Sequence, residues 1–376
     1  MLNVAIVSRG IPTQDNPMNG IFEWDQAQAL KRAGVKVTFI VLDLRSLRRK
    51  RNWSTTVCVK DGIQIVKGSV PLGNIPASLF YYLGKRKLKK LIDITIAKYG
   101  RPDVIHGHFS DIGAIAAAEA KRRDIPCVVT EHSSSINLDI LLRRTRFFAS
   151  RAYSNASLVI TVSQSLRTRL SQHFNINSIV IPNVVDTSAI RYQNRQSISI
   201  LNRKIFVATG NLLYRKGYDV LVSSFAKLPK NKAELWIIGD GVEKQKLKTQ
   251  IKQLGADDNI KLLGFKNRKE ISDLYSQADC FVLASRRETF GVVYIEAMLA
   301  GVPVIATRCG GPEDFVNSSN GLLVDPENTE QLFEALLKMV HTSDSYSSQS
   351  IHDFAVKTFS PEVIAQKLIS CYKSIL

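Results

Sequence analysis

The stretch Glu288-Thr289-Phe290-Gly291-Val292-Val293-Tyr294-Ile295-Glu296-Ala297 holds two glutamates with seven residues between them. It follows an apolar run, residues 280–284, that reads as a buried strand, and it opens a helix ending near Ala300-Gly301. Strand, polar loop, helix is the arrangement in which open α/β sheets bind ligands, at the carboxyl ends of their strands. Positions eight apart on a helix are separated by about 12 Å. A glycoside-hydrolase carboxyl pair is closer, at about 5 to 9.5 Å. Glu288 and Glu296 therefore suit the two ends of one long ligand. Thr289, Phe290 and Gly291 between them would form the helix start, where N–H groups and the dipole favour an anion. Carboxylate, phosphate site and second carboxylate in a row fit a nucleotide-sugar. Taken alone, the pair also fits a structural role, with Glu288 as a first-turn charge and Glu296 beside the buried stripe Val292, Ile295 and Leu299.

The elements that would position these residues alternate strand and helix along the chain. Residues 2–7 read as a first strand rather than a leader segment. A polar loop follows, then a helix over 21–33 and a strand over 35–42, completing a βαβ unit. Gly20, just before that helix, suits close backbone approach by a phosphate. There is no GxGxxG, so a dehydrogenase-type dinucleotide site is not supported. Residues 103–106 form a buried strand followed by Gly107-His108-Phe109. His106, His108 and His132 lack the spacing of a metal site. In the second half, a strand over 204–209 leads into Gly210-Asn211-Leu212-Leu213-Tyr214-Arg215-Lys216-Gly217. A glycine turn with lysine at a strand end suits a diphosphate, because lysine supplies a mobile point charge. Further strands over 234–238, 260–263 and 302–307 follow, with helices over 329–341 and 361–375. Ser360-Pro361 is a helix-start signal for the last. Residues 1–190 read as one domain, 191–203 as a linker, 204–360 as a second domain and 361–376 as a separate final helix.

The 376 residues are 45% hydrophobic and 22% charged, as in a globular protein, and no apolar run reaches the length of a membrane span. Five scattered cysteines with no CxxC point to reduced thiols in a cytosolic setting. The net charge of +18 is uneven: residues 1–190 hold 27 Lys and Arg against 13 Asp and Glu. No zinc-finger, RNA-recognition or aromatic-interleaved basic strand accompanies that charge, which argues against nucleic acid. Three segments instead pair basic and apolar residues: Arg45 with Arg48, Arg49, Lys50 and Arg51, then 79–99, then 141–148. On a helix, Phe80, Leu88, Leu91 and Ile92 share one face and Lys85, Arg86, Lys89 and Lys90 another. Such segments suit an anionic membrane surface.

The central stretch resembles the Glu-x7-Glu signature of the retaining glycosyltransferases of family 4, of the bacterial surface-polysaccharide type. Pro102-Asp103-Val104-Ile105-His106-Gly107-His108-Phe109, Thr130-Glu131-His132, Val180 through Asp186 and Gly321-Leu322-Leu323-Val324 are similar to further motifs of that family. The resemblance implies an α/β protein of two doubly wound Rossmann-like domains facing a cleft (GT-B). It implies sugar transfer from a nucleotide-sugar to a saccharide acceptor with retention, without metal or cofactor. A UDP-sugar is expected ahead of a GDP-sugar. Gly20 would face the donor phosphate, and Lys216 with the Phe290-Gly291 helix start would hold the diphosphate. Glu296 would hold the ribose, and Glu288 would orient the donor sugar. His108 would contact the sugar from the first domain, and the last helix would cross back to that domain. Asn211 stands where the family has an arginine, with Arg215 the nearest substitute, and Val184 replaces a usual glycine. A lipid-linked acceptor, reached peripherally on the inner face of the plasma membrane, completes the expectation. A sugar-nucleotide epimerase, a phosphorylase or a non-catalytic nucleotide-sugar-binding protein of the same fold stays open.

Overall fold

Most strands of this chain are near-continuous apolar runs, the pattern required where helices cover both faces of a parallel sheet. A computed structural model describes residues 1–14, 16, 18–45, 54–192 and 203–376. The basic run 48–51 and most of the expected linker lie outside the described residues. The chain divides into two compact units: Met1–Val184 with Pro361–Leu376, and Val185–Ser360.

In the first unit the strands are β1 (Asn3–Ser8), β2 (Lys36–Asp43), β3 (Thr56–Lys60), β4 (Ile63–Ser69), β5 (Val104–His108), β6 (Cys127–Glu131), β7 (Leu158–Thr161) and β8 (Ile179–Val180). They form one sheet in the order β3-β4-β2-β1-β5-β6-β7-β8. Only β3 runs antiparallel, to β4. The helices are α1 (Ile21–Arg32), α2 (Ala77–Tyr99), α3 (Ser110–Arg122), α4 (Arg143–Asn155) and α5 (Gln164–Phe174). On α2 the residues Phe80, Leu88, Leu91 and Ile92 are buried, as their periodicity predicts, while Arg86, Lys89 and Lys90 are exposed. Among the described residues no helix is long and apolar enough to cross a membrane.

The second unit carries β9 (Lys204–Thr209), α6 (Tyr218–Phe225), β10 (Ala233–Ile238), α7 (Lys244–Gln253), β11 (Ile260–Gly264), α8 (Arg268–Tyr275), β12 (Cys280–Leu283), α9 (Val292–Leu299), β13 (Val304–Thr307), β14 (Gly321–Val324), α10 (Thr329–Thr342) and α11 (Ser348–Phe359). Its sheet order is β11-β10-β9-β12-β13-β14, and neighbouring strands among the described residues run parallel. Both units are thus Rossmann-like α/β domains. The final helix, α12 (Pro361–Lys373), belongs to the first unit. Its Ile364, Ala365, Leu368 and Tyr372 join Trp24, Ala27 and Leu30 of α1 in one apolar core.

Among the elements that the sequence reading did not mark are the β3–β4 hairpin and helix α11. The β3–β4 hairpin turns on Asp61-Gly62, both at positive φ (48° and 71°). Asp-Gly between two alternating runs is the local signal that predicts such a hairpin. Helix α11 starts at Ser347, whose hydroxyl accepts from the Ser350 N–H.

Candidate active site

The sheet order of the second unit reverses between β9 and β12, which makes their carboxyl ends the switch point where open α/β sheets bind ligands. The loop after β9 carries Asn211, Arg215 and Lys216, and the loop after β12 carries Glu288, Thr289, Phe290 and Gly291. Two stretches about seventy residues apart therefore meet at one sheet end. Lys216 Nζ donates to Glu288 Oε2 at 2.5 Å, and the two side chains are 10% and 9% exposed. Ser285 Oγ lies 3.5 Å from the same carboxylate oxygen. A charged pair this enclosed is stable only while both members are present, since either alone would be an uncompensated buried charge.

Backbone fixes both partners. Lys216 ends a short 3-10 turn, Tyr214–Lys216, closed by Gly217 in the left-handed region at φ 64°. A Cβ on Gly217 would stand 1.8 Å from the Ala284 carbonyl oxygen, so only glycine lets the turn pack on the end of β12. On the other side, the Glu288 N–H donates to the Cys309 carbonyl (3.2 Å) and the Gly311 N–H to the Glu288 carbonyl (3.0 Å). The Cys309 thiol is pushed up to about 12 by burial, then by the nearby Glu288 carboxylate among other neighbours, which keeps it un-ionised.

The structure corrects the expected helix start. Helix α9 begins at Val292 with Gly291 as its left-handed N-cap, φ 97°. Thr289 and Phe290 precede it and supply no helical N–H groups. The Phe290 ring is buried against Phe315 and Phe359, with centroids 5.9 and 5.7 Å away, so this side chain is core. Glu296 is half-buried in the middle of α9. Burial and then the charge of Glu296 push the Tyr275 hydroxyl well up. Asn211 and Arg215 are exposed, whereas Lys216 between Arg215 and Gly217 is buried. The two adjacent basic residues thus sit in different surroundings.

In the first unit the order reverses between β1 and β5. Gly20, the left-handed N-cap of α1 at φ 72°, packs against the loop after β1: a Cβ there would meet the Gly10 carbonyl oxygen at 2.3 Å. His108 ends β5 with its imidazole fully buried. It is the middle ring of a stack with His106 and His132, at centroid distances of 4.4 and 5.2 Å. With Gln26 Nε2 as donor, the hydrogen bonds assign the tautomers. The Tyr372 hydroxyl donates to His106 Nδ1 at 2.7 Å, and so does Gln26 Nε2 at 3.2 Å. His106 Nε2–H therefore donates to Thr130 Oγ1. Gln26 Nε2 also faces His108 Nε2 at 3.5 Å, which leaves His108 Nδ1–H to donate to His132 Nε2 at 2.9 Å. Burial, reinforced by the neighbouring histidines, holds His106 at about 3 and His108 well below the ordinary histidine value. Burial also holds His132 at about 3. All three rings are neutral at physiological pH.

Around this stack the Glu131 carboxyl accepts from the His132 and Ser133 N–H groups and from the Tyr153 hydroxyl. Arg9 pairs with Asp111 and lies 4.3 Å over the Phe109 ring. The sequence reading gave Tyr372, Gln26 and Arg9 no role. Tyr372 is 266 positions from its partner, and no spacing rule connects such residues.

Comparison with known proteins identifies what these sheet ends belong to. Residues 24–189 match the model described as Glycosyltransferase Family 4, and residues 191–351 match that of Glycosyl transferases group 1. The chain is 27% identical over 359 residues, 90% of each chain, to TuaC of Bacillus subtilis (strain 168), a glycosyltransferase whose name attributes it to teichuronic acid biosynthesis. It is 30% identical over 270 residues to an uncharacterized glycosyltransferase of Methanocaldococcus jannaschii, covering 67% of this chain and 68% of that one. Among solved structures it matches a sucrose-phosphate synthase from Thermosynechococcus elongatus with a TM-score of 0.82 at 20% identity, over 100% of this chain and 99% of that one. It also matches Anabaena HepE, in complex with UDP and glucose, with a TM-score of 0.75 at 20% identity over the full length of both. The chain belongs to glycosyltransferase family 4 and is a glycosyltransferase with the GT-B fold.

Proposed function

We propose that the enzyme transfers a sugar from a nucleotide-sugar, with a UDP-sugar ahead of a GDP-sugar, to a saccharide acceptor carried on a lipid, with retention at the anomeric carbon, in surface polysaccharide or glycolipid synthesis. The observation that carries this reading is the enclosed Lys216–Glu288 pair at the β9/β12 switch point, beside the Gly291-capped start of α9. A donor diphosphate there would draw the Lys216 ammonium from carboxylate to phosphate. The first turn of α9 would add N–H groups with no partner inside the helix. Fixed charge and N–H groups of this kind stabilise a leaving diphosphate without reorganisation. Glu288, released from Lys216, would orient the sugar, and Glu296 would hold the ribose. Gly20 would give a phosphate close approach to the backbone of the first unit. No metal or cofactor enters this scheme. The UDP complex of the HepE neighbour supports the choice of nucleotide. Calorimetric titration with UDP and GDP tests it: UDP should bind in wild type and weaken at least tenfold in Lys216→Met, a difference of about 1.4 kcal/mol. Equal binding to both proteins would remove Lys216 from the site.

The lipid-linked acceptor and the anionic membrane partner rest on a surface of the first unit that the sequence reading saw only in pieces. Helices α2 and α4 meet through Phe80–Phe148 and Tyr81–Phe147 ring contacts. Arg144 lies 4.8 Å over Phe80, and Arg151 3.6 Å over Phe147. Beside them Ile140 and Leu142 are 86% and 66% exposed. Apolar tips within a cationic collar suit an anionic interface, where each nearby basic residue contributes about 1 kcal/mol. The enzyme would then work from the inner face of the plasma membrane. Vesicle co-sedimentation at low salt should retain the protein on anionic lipid and lose it with Arg144→Glu/Arg146→Glu. Absence of binding by wild type would leave only a soluble acceptor.

A further inference from the structure

Arg286 stands two residues before Glu288 and makes more directed contacts than any role on the surface requires. Its Nε donates to Glu327 Oε1 at 2.9 Å. Nη1 donates to the Tyr214 carbonyl at 2.7 Å and to Asp219 Oδ1 at 2.8 Å, and Nη2 to Asp219 Oδ2 at 2.8 Å. The guanidinium carbon lies 3.9 Å over the Tyr214 ring. The Arg286 backbone N–H donates to the Arg215 carbonyl at 2.9 Å. Its side chain is 12% exposed, although Asp219 and Glu327 are 42% and 61% exposed. The Asp219 hydrogen bonds, and then those to Glu327, hold the guanidinium above its already high ordinary value, so it is a permanent cation.

These contacts converge on one place. The two carbonyls that Arg286 engages belong to Tyr214 and Arg215, the two residues that lead to Lys216. Asp219 lies in the first turn of α6, just past Gly217. The turn that carries Lys216 is therefore gripped on both sides by a residue of the loop that carries Glu288. We infer that Arg286 is a positioning residue for Lys216: it clamps the Tyr214–Lys216 turn to the β12–α9 loop, so that the ammonium is delivered to the carboxylate and, with donor bound, to the diphosphate. Only a planar fork with five donors can hold the Asp219 carboxylate with two nitrogens and a carbonyl at the same time, so lysine would not replace it. The inference rests on the donor-site reading for its consequence, but its geometric core does not.

Two measurements on the full chain separate these parts. The first needs no donor: trace labelling with an amine-reactive reagent, read lysine by lysine by mass spectrometry. In wild type Lys216 should label slowly. In Arg286→Met its rate should rise about tenfold, with Arg286→Lys in between, while Lys227, on the exposed side of the same unit, stays unchanged. The second is a double-mutant cycle on UDP affinity. Arg286→Met should weaken UDP about tenfold in wild type and less than twofold in the Lys216→Met background. Thermal unfolding of each variant identifies any that fail to fold, in which case Arg286→Lys carries both tests. Unchanged Lys216 labelling, or an equal loss of UDP affinity in both backgrounds, overturns the inference. Raised labelling in a protein that binds no UDP keeps the clamp and overturns the donor reading instead.

Discussion

Lys216 Nζ and Glu288 Oε2 lie 2.5 Å apart at the ends of two neighbouring strands, although 72 positions separate them in the chain. The pair joins the two residues that the donor-site account most depends on, and it does so with both side chains about nine-tenths buried. Lys216→Met or Glu288→Gln alone should destabilise the protein by about 3 kcal/mol, because each strands the other member away from water. The double variant should recover most of that loss in urea unfolding while remaining inactive. Equal destabilisation in all three would mean that the charges do not depend on each other.

Phe290 is expected to matter for stability and not for the ligand. Phe290→Ala removes a ring packed against Phe315 and Phe359 and should cost about 3–5 kcal/mol. Phe290→Leu keeps most of the volume and should leave UDP affinity within about twofold of wild type. A selective loss of UDP binding in a stable Phe290→Leu protein would return the ring to the site.

The sequence reading went furthest where chemistry and local signals coincide. Lys216, beside Gly217, and Glu288, three residues before Gly291, sit in loops past strand ends, and the structure brings them to one sheet end. The reading failed where the signal was not local. Phe290 follows two polar residues in a loop, and nothing in its neighbourhood reveals that Phe359 closes over it. His108 was legible as a residue just past a buried strand. Its enclosure was not, because that depends on Gln26 and on Tyr372 arriving from the last helix. Arg286 has neighbours that read as surface, and only the packing of two loops turns it inward.

Gly217→Ala should disable the donor site through backbone alone. The new methyl would meet the Ala284 carbonyl oxygen, and the residue would sit at φ 64°, where side chains other than glycine are strained. The expected strain of about 1–3 kcal/mol would be relieved by shifting the turn that carries Lys216. UDP affinity should fall with little change in the far-ultraviolet circular dichroism. Normal affinity would show that the turn tolerates displacement.

The histidine stack should make the first unit acid-sensitive. His106 and His132 are held at about 3 in the folded protein, against 6.5 when unfolded. Between those values the unfolded chain binds protons that the folded one does not, so stability rises with pH in that window and falls on acidification. Each neutral histidine contributes a slope of up to about 1.4 kcal/mol per pH unit. Glu23 and Glu131, whose carboxyls burial raises, act in the opposite sense above the ordinary carboxylate range. Subtracting the profile of His106→Gln from that of wild type cancels the carboxylate part. The wild type should show the steeper loss between pH 6 and 4, both values within the window set by those shifts. Parallel profiles would place the proton uptake elsewhere.

The most direct test of the donor-site account is slow hydrolysis of a panel of UDP- and GDP-sugars by the wild-type protein, followed by release of the nucleoside diphosphate, with Glu288→Ala and Lys216→Ala alongside. The account predicts turnover of one UDP-sugar, lost in both variants. Nucleotide binding without turnover of any donor, even with lipid-linked saccharides added, would contradict it. Asn211, exposed in the loop after β9, would then be the residue to explain.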